Sequence, residues 1–249
     1  MALTHRFEVI DSTNTYAKKL AREGAENGTA ILAQSQTGGR GRLGRSFHSP
    51  KGSGIYLSVI LRPQCTPGEL MHLTCAVGVA ACDAIEECTG FRPGIKWTND
   101  LVFGKRKLGG ILTELGFDSG SVSYAVAGIG INCTQKEWDF PPEIREIASS
   151  LAAVTQKSIC VHDLEESLIR HIRAMCETLL TEKERWMDRY RADCVTVGQE
   201  ISVVRGDEIR HGTALSVDDE GGLVVSFRDG SIGAVTSGEV SIRGMYGYV

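Results

Sequence analysis

The pattern of apolar residues changes sharply between residues 193 and 196. From Val197 onward no run shows helical periodicity, and short alternating runs are separated by glycine-containing turns. The runs occupy residues 200–205, 212–217, 222–227, 231–235 and 240–243. Five short strands within about 50 residues favour a small antiparallel barrel. We therefore predict two domains, at residues 1–193 and 194–249.

The larger segment contains both strand and helix patterns. Strands are predicted at residues 7–10, 29–34, 54–62, 94–97, 100–103, 107–116 and 121–131. Helices are predicted at residues 15–22, 68–89 and 162–190, where apolar residues recur at helical spacing. Residues 141–150 open with two prolines and are predicted to be a loop. This mixture indicates an α/β (α+β) domain.

The composition is that of an ordinary globular protein, with 42% hydrophobic and 23% charged residues. The net charge of −4 argues against broad electrostatic binding to nucleic acid or anionic lipid. Eight cysteines show neither a C-x-x-C pair nor zinc-like spacing, which favours reduced thiols in a cytosolic protein. The sequence has no signal-peptide pattern and no apolar run of about 18 residues. We therefore expect a cytoplasmic protein without membrane association.

Residues 36–45 (QTGGRGRLGR) place Arg40, Arg42 and Arg45 among four glycines. Glycine lets the backbone approach a ligand closely, and arginine offers a planar fork for carboxylate or phosphate oxygens. We interpret the segment as a loop that binds a small anion. A solvated hairpin turn is one alternative. Contact with RNA phosphates is another, although few aromatic side chains are near for base stacking.

The same loop matches two nucleotide-binding motifs. Residues 39–44 fit G-x-G-x-x-G, and residues 39–46 differ from a Walker A loop by an arginine at position 45. Both motifs require a helix directly after the last glycine, because the helix N-terminus holds the phosphate. The segment that follows, SFHSPKG, cannot form a long helix. We therefore reject both interpretations.

A second polar segment, KWTND at residues 96–100, precedes the basic turn GKRKLGG at residues 104–110. Asn99 and Asp100 face Lys107 across a short predicted hairpin, which is consistent with a shared site for Mg²⁺ and phosphate. Taken singly, Lys107 can be a surface lysine and Asp100 a turn residue. Both interpretations stay open on this evidence.

Other polar residues have a simple structural interpretation beside a functional one. Ser12, Thr13 and Asn14 can cap a helix. Residues 128–131 can form a buried strand that packs through small residues, and Asn132 at its end is a candidate ligand-binding residue. The six histidines form no metal-binding pattern.

Five motifs occur in order along the chain: DSTN, Q-x-x-GRGR-x-GR, KW-x-ND, RKL-x-GIL-x-E and GIGIN. In this order they resemble the biotin–protein ligases, from about residue 7 to the C-terminus. The resemblance implies an enzyme that joins biotin to ATP, giving biotinyl-5′-AMP and pyrophosphate. The enzyme would then transfer the biotinyl group to one lysine of a biotin carboxyl carrier protein. The implied fold is a catalytic α/β domain with a mixed, class II synthetase-like sheet, followed by an SH3-like barrel.

The resemblance also implies roles for individual residues. Lys107 and Arg42 are the implied catalytic residues, since they match side chains that meet the reacting carboxylate and phosphate. The implied biotin-binding residues are Ser12, Thr13, Asn14, Gln36, Gly39, Arg40, Arg42, Lys107 and Gly109. The implied ATP-binding residues are Arg42, Arg45, Phe47, Asn99, Asp100, Lys107, Asn132 and Arg243, with Asp100 as the Mg²⁺ ligand.

The chain departs from the family pattern at two site positions. Thr98 stands where the family usually has proline, which leaves the geometry of that turn in question. Phe47 stands where the family often has tryptophan, which changes the wall around the biotin ring.

Three rival functions would each require different residues. A lipoate–protein ligase or octanoyl transferase would carry a glycine-triplet signature, which this sequence lacks. A transcriptional repressor would need a DNA-binding module, and because the match begins near residue 7 we expect no specific DNA binding. A biotin-binding protein without catalysis would not need Lys107 or Asp100. The sequence leaves the choice between monomer and homodimer open.

Overall fold

The computed structural model describes residues 3–205, 207–236 and 239–242. Arg243, for which the resemblance implies ATP binding, lies outside the described residues. The strands are β1 (Thr4–Ile10), β2 (Ala30–Gln36), β3 (Gly54–Leu61), β4 (Gly94–Lys96), β5 (Asp100–Phe103), β6 (Arg106–Asp118), β7 (Ser121–Asn132), β8 (Glu200–Arg205), β9 (Glu208–Val217), β10 (Leu223–Phe227), β11 (Ile232–Val235) and β12 (Glu239–Ile242). The α-helices are α1 (Thr13–Arg22), α2 (Leu73–Thr89), α3 (Leu151–Thr155), α4 (Val161–Thr178) and α5 (Lys183–Asp193).

Strands β1 to β7 form one sheet in the order β1-β2-β3-β7-β6-β5-β4. The β1–β2 pair is parallel and the other pairs are antiparallel, so the sheet is mixed. Strands β8 to β12 form a second, wholly antiparallel sheet in the order β11-β10-β9-β8-β12. A mixed α/β sheet followed by a small antiparallel β unit confirms the predicted fold class.

The core of the larger unit lies between its sheet and helix α2. This helix is apolar on nearly every side, and most of its side chains are buried. The helical segment at residues 68–89 is long and apolar enough to cross a membrane. However, 72% of the 18-residue stretch that meets this criterion is buried inside the protein. Core helices of this kind satisfy the same composition test, because a helix that is hydrophobic all round must be covered on all sides.

The prediction of a single helix at residues 162–190 was wrong, since α4 and α5 are separate. The predicted apolar stripe is nevertheless buried in α4, and it ends at Leu179 between the helices. The Leu179 carbonyl accepts a hydrogen bond from Nε2 of His72, at 2.9 Å, instead of one from within the helix. The apolar periodicity of the sequence continues from α4 into α5 because both helices pack against α2.

The two units contact each other through Trp97, directly after β4. Its backbone N–H donates to Oγ1 of Thr196 at 2.8 Å, and its indole Nε1–H donates to the carbonyl of Gly221 at 2.9 Å. The predicted boundary at residues 193 and 194 falls between α5 and β8, and it stays a prediction.

Candidate active site

The arginine-containing loop connects β2 to β3 and folds back on itself. Arg40 and Ser46 form a short antiparallel bridge around a 3₁₀ turn at Arg42–Gly44. Gly39 sits where a Cβ atom would lie 2.5 Å from the carbonyl oxygen of Phe47, so a side chain is excluded there. Residues 45–53 contain no helix. The absence of a helix N-terminus in this segment supports the rejection of the dinucleotide and Walker A motifs.

The loop covers a cavity of about 150 Å³. Eleven predicted site residues line it: Ser12, Thr13, Asn14, Gln36, Arg40, Arg42, Arg45, Phe47, Asn99, Asp100 and Lys107. These residues come from five separate stretches of sequence, at 12–14, 36, 40–47, 99–100 and 107, and they meet at one place. Gly39, Gly109 and Asn132 are not part of this lining.

One end of the cavity is neutral and rich in hydrogen bonds. Ser12 caps α1, accepting from the Thr15 backbone N–H at 3.4 Å. Oε1 of Gln36 accepts from the backbone N–H of Thr13 at 2.9 Å and from its hydroxyl at 3.1 Å. Nε2 of Gln36 donates to Oγ of Ser49 at 3.0 Å. The side chain of Gln36 is therefore held in one orientation before any ligand is present.

The other end carries Arg42, Asp100 and Lys107, whereas Arg40 lies 3.7 Å from Glu114, the carboxylate to which Asn14 donates. Arg42 donates to Oγ1 of Thr98 at 3.3 Å and to Oδ1 of Asn99 at 3.1 Å. Asn99 in turn donates to the carbonyl of Ile111 at 2.9 Å. Nζ of Lys107 donates to Oδ1 of Asp100 at 2.6 Å. The side chain of Arg42 therefore lies over the turn at Thr98 and Asn99, and the Thr98 hydroxyl takes part in holding it.

Two glycines of β7 give the site its shape. A Cβ atom at Gly128 would lie 2.1 Å from Oδ1 of Asn14, and one at Gly130 would lie 2.6 Å from the ring of Phe47. The small residues of this strand therefore allow the close packing that was predicted, and the same lack of side chains leaves room for Asn14 and Phe47 at the cavity. Phe47 also meets Tyr56 edge to face, with ring centroids 6.3 Å apart.

Asn132 lies behind the cavity. Its Nδ2 donates to the carbonyl of Ser149 at 3.0 Å, and the residue is buried. Ser149 accepts there while its own N–H bonds the carbonyl of Lys107 at 2.9 Å. In this structure Asn132 supports the strand that carries Lys107, and its implied contact with ATP stays a prediction.

Sequence reasoning missed several residues of the site. Lys96, Trp97 and Val240 line the cavity, and Val240 comes from the small sheet. Ser58 and Glu114 stand directly behind the lining and bond to it. Ser58 had a signal, since it is a lone hydroxyl in the apolar strand GIYLSVIL. Glu114 is the last residue of the RKL-x-GIL-x-E motif, but the sequence analysis assigned no role to it.

The residues present fit an ion that arrives with its nucleotide rather than a resident metal. Among the described residues, no group of three or more metal-ligating side chains is found. Asp100 is the one carboxylate among the described lining residues. Mg²⁺ usually takes one or two protein carboxylates and completes its shell with phosphate oxygens and water. One carboxylate beside Lys107 and Arg42 is compatible with that arrangement.

Comparison with known proteins identifies the family. Residues 6–132 match the biotin/lipoate A/B protein ligase family, and residues 196–243 match the biotin protein ligase C-terminal domain. The chain is 34% identical over 234 residues to the bifunctional ligase/repressor BirA of Bacillus spizizenii, covering 90% of this chain and 69% of that protein. It is 30% identical to the biotin–[acetyl-CoA-carboxylase] ligase of Mycobacterium tuberculosis, covering 92% of this chain and 85% of that protein.

A solved structure gives the same assignment. The biotin protein ligase of Aquifex aeolicus in complex with biotin and ATP superposes with a TM-score of 0.80 and 29% identity, covering 98% of this chain and 99% of that chain. The chain therefore belongs to the biotin/lipoate A/B protein ligase family. The Mycobacterium tuberculosis relative and the Aquifex aeolicus structure are biotin protein ligases, which are enzymes. The resemblance inferred from the sequence is confirmed.

Proposed function

We propose that this protein activates biotin with ATP and transfers the biotinyl group to a lysine of a biotin carboxyl carrier domain. The observation that supports the proposal most directly is the polarity of the cavity. Its neutral end, around Thr13 and Gln36, suits an uncharged cyclic urea. Its cationic end, around Arg42 and Lys107, suits a carboxylate meeting a phosphate. Biotin has these two chemical ends.

The first step joins two anions. A carboxylate oxygen of biotin attacks the α-phosphorus of ATP, the new C–O–P bond gives a mixed anhydride, and pyrophosphate leaves with the electron pair. Lys107 and Arg42 would neutralise the approaching charges, with Arg40 at the biotin carboxylate. Mg²⁺ bound at Asp100 would neutralise the departing phosphates. Arg45, Phe47 and Asn99 would contact the nucleotide, as would Asn132 and Arg243.

The second step transfers the acyl group. The neutral amine of the carrier lysine attacks the acyl carbon, an amide bond forms, AMP leaves, and the amine gives up a proton. Gly39 and Gly109 do not line the cavity, and they would serve biotin binding by allowing the close packing of the loop and of β6 behind it. Neither glycine tolerates a Cβ atom, since at each one it would lie 2.5 Å from a carbonyl oxygen.

The proposal is tested by incubating the protein with biotin, MgATP and the biotin carboxyl carrier domain of an acetyl-CoA carboxylase. We expect the carrier mass to increase by one biotinyl group. A carrier with its acceptor lysine changed to arginine, and a reaction without ATP, are the matched controls. Lipoate and octanoate in place of biotin provide the arm for the rival activity. No mass change with biotin would refute the proposal.

We also propose a cytoplasmic enzyme that binds no specific DNA. The net charge of −4 is unfavourable for contact with phosphate backbones. A gel shift with a biotin operator sequence, in the presence of biotinyl-adenylate, should show no sequence-dependent retardation. Sedimentation of the protein with and without biotinyl-adenylate decides between the monomer and the homodimer.

A further inference from the structure

We propose that Glu114 is a positioning residue for the biotin headgroup, acting through the side-chain amide of Asn14. The inference rests on the proposed function, because it concerns the end of the cavity assigned to the cyclic urea. Glu114 lies on β6 and does not line the cavity, but it contacts two residues that do: it is hydrogen-bonded to Asn14, and it lies 3.7 Å from Arg40.

The amide of Asn14 is fixed by three hydrogen bonds. Nδ2 donates to the carbonyl of Leu112 at 3.1 Å and to Oε2 of Glu114 at 2.9 Å. Oδ1 accepts from the hydroxyl of Ser58 at 2.6 Å. Because both amide hydrogens are used by acceptors, the reverse orientation would place Oδ1 against two other oxygens.

The fixed orientation determines what the cavity offers a ligand. Asn14 lines the cavity, and its Oδ1 lies against the bare Cα of Gly128. An amide oxygen can accept two hydrogen bonds, and Ser58 supplies one. The site therefore presents an acceptor at this point, which a ligand N–H would satisfy. A cyclic urea carries two N–H groups, whereas a ligand with an ether or a methylene there leaves the acceptor unpaired.

Glu114 is suited to this task because both of its oxygens act as acceptors. Oε1 accepts from Nζ of Lys18 at 2.6 Å and lies 3.7 Å from Nη1 of Arg40. Burial raises the pKa of the Glu114 carboxyl, but the hydrogen bonds from Lys18 and Asn14 outweigh it and hold the pKa below its usual value. The carboxylate therefore stays ionised and offers no donor to Asn14.

Glutamine has the same shape as glutamate but cannot supply two acceptor oxygens. A Glu114→Gln side chain has one acceptor oxygen and one NH₂ donor. The oxygen is drawn to the Lys18 ammonium, since hydrogen bonds to charged groups are the stronger ones. The NH₂ then faces Nδ2 of Asn14, donor against donor, and the Asn14 amide turns over. The cavity would lose its acceptor while the fold keeps its packing.

The experiment measures biotin affinity by calorimetry in five variants. Glu114→Gln should weaken biotin binding on the order of tenfold, with little change in turnover at saturating biotin or in the KM for MgATP. In an Asn14→Ala background the same change should have no further effect, because Glu114 acts through Asn14. Lys18→Met alone should leave biotin affinity near wild type.

The rescue variant distinguishes positioning from mere stabilisation. In Lys18→Met/Glu114→Gln the ammonium is gone, so the glutamine oxygen is free to accept from Asn14, and biotin affinity should recover. Melting temperatures of all five variants report whether the fold is intact. If Glu114→Gln alone does not fold, the decisive comparison is the biotin affinity of Lys18→Met/Glu114→Gln against that of Lys18→Met, which should be equal.

Three outcomes would overturn the inference. They are an unchanged affinity in Glu114→Gln, an equal loss in the wild-type and Asn14→Ala backgrounds, and a double variant that is no better than Glu114→Gln. Failure of the wild-type protein to bind biotin at all would instead remove the proposed function, and the inference with it.

Discussion

Lys107 and Asp100 are bound to each other, with Nζ 2.6 Å from Oδ1, across the hairpin of β5 and β6. Each is thus the charge partner of the other before ATP arrives. The backbone N–H of Lys107 also donates to the carbonyl of Ile147 at 2.7 Å, which fixes the position of its Cα atom. Binding of MgATP would exchange this pair for two new ones, ammonium with phosphate and carboxylate with Mg²⁺.

Lys107→Ala should slow adenylation by roughly 10²–10³-fold, because it removes a cation placed where charge develops in the transition state. It also leaves Asp100 without its partner beside the phosphates. Pyrophosphate release at saturating biotin and MgATP measures the effect, and calorimetry should show only modestly weaker biotin binding. Lys107→Arg should rescue little, since a planar fork does not replace a compact ammonium. Lys105→Ala, in the exposed turn directly before β6, is the matched control. Wild-type rates in Lys107→Ala would make Lys107 an ordinary surface lysine.

Arg42→Ala should speed dissociation of biotinyl-adenylate while the melting temperature barely changes. Arg42 bonds only to the polar groups of Thr98 and Asn99 among the contacts described, so its loss opens no cavity in the core. The lost charge-assisted contact is worth about 1.5–3 kcal/mol. The off-rate is measured by stopped-flow displacement. Arg185→Ala, at an exposed ion pair with Glu182, is the control and should leave the off-rate unchanged. An unaltered off-rate in Arg42→Ala would contradict the assignment.

Hydrogen exchange should slow at the tip of the arginine-containing loop when biotin or its adenylate binds. At the tip, the backbone bonds join loop residues to each other, as from Gly41 N–H to the carbonyl of Arg45 at 2.7 Å. The base of the loop is tied to the fold, as by the bond from Gly38 N–H to the carbonyl of Asp11 at 2.9 Å. Weakly tied segments open first and gain most from a ligand. Strand β3 serves as the internal reference. Identical exchange at residues 40–46 with and without saturating ligand would refute this.

Stability should fall as the pH drops below about 6.5, partly because of His72. Burial lowers the pKa of His72 below its ordinary value of 6.5, with Leu179 accepting from Nε2 and with Lys183 and Glu220 as nearby charges. Below pH 6.5 His72 therefore binds a proton more readily in the unfolded chain than in the folded protein, which lowers the free energy of unfolding. His72→Gln keeps a donor for Leu179 but does not titrate. The melting temperature of this variant should depend less on pH than that of the wild type, and an equal dependence would exclude His72.

Local patterns predicted much of the fold for a definite reason. Strand β3 buries all its residues and helix α2 buries most of its residues, so their apolar composition alone predicts them. The break between α4 and α5 was missed because apolar periodicity records which side is buried and not whether the axis bends. The short helix α3 was also missed, since five residues contain too little of a period to detect.

The sequence by itself determined the family, the two kinds of sheet and most of the polar residues that meet at the cavity. Those residues are recognisable because glycine, arginine and lysine in a fixed order serve a chemistry that few other residues can perform. The tertiary structure alone decided how the residues are held. That Glu114 orients Asn14, that Gly128 gives its oxygen room, and that Asn132 faces Ser149 depend on side chains far apart in the chain. Such hydrogen bonds produce no periodic pattern in the sequence, because they follow from the register of neighbouring strands and not from local sequence.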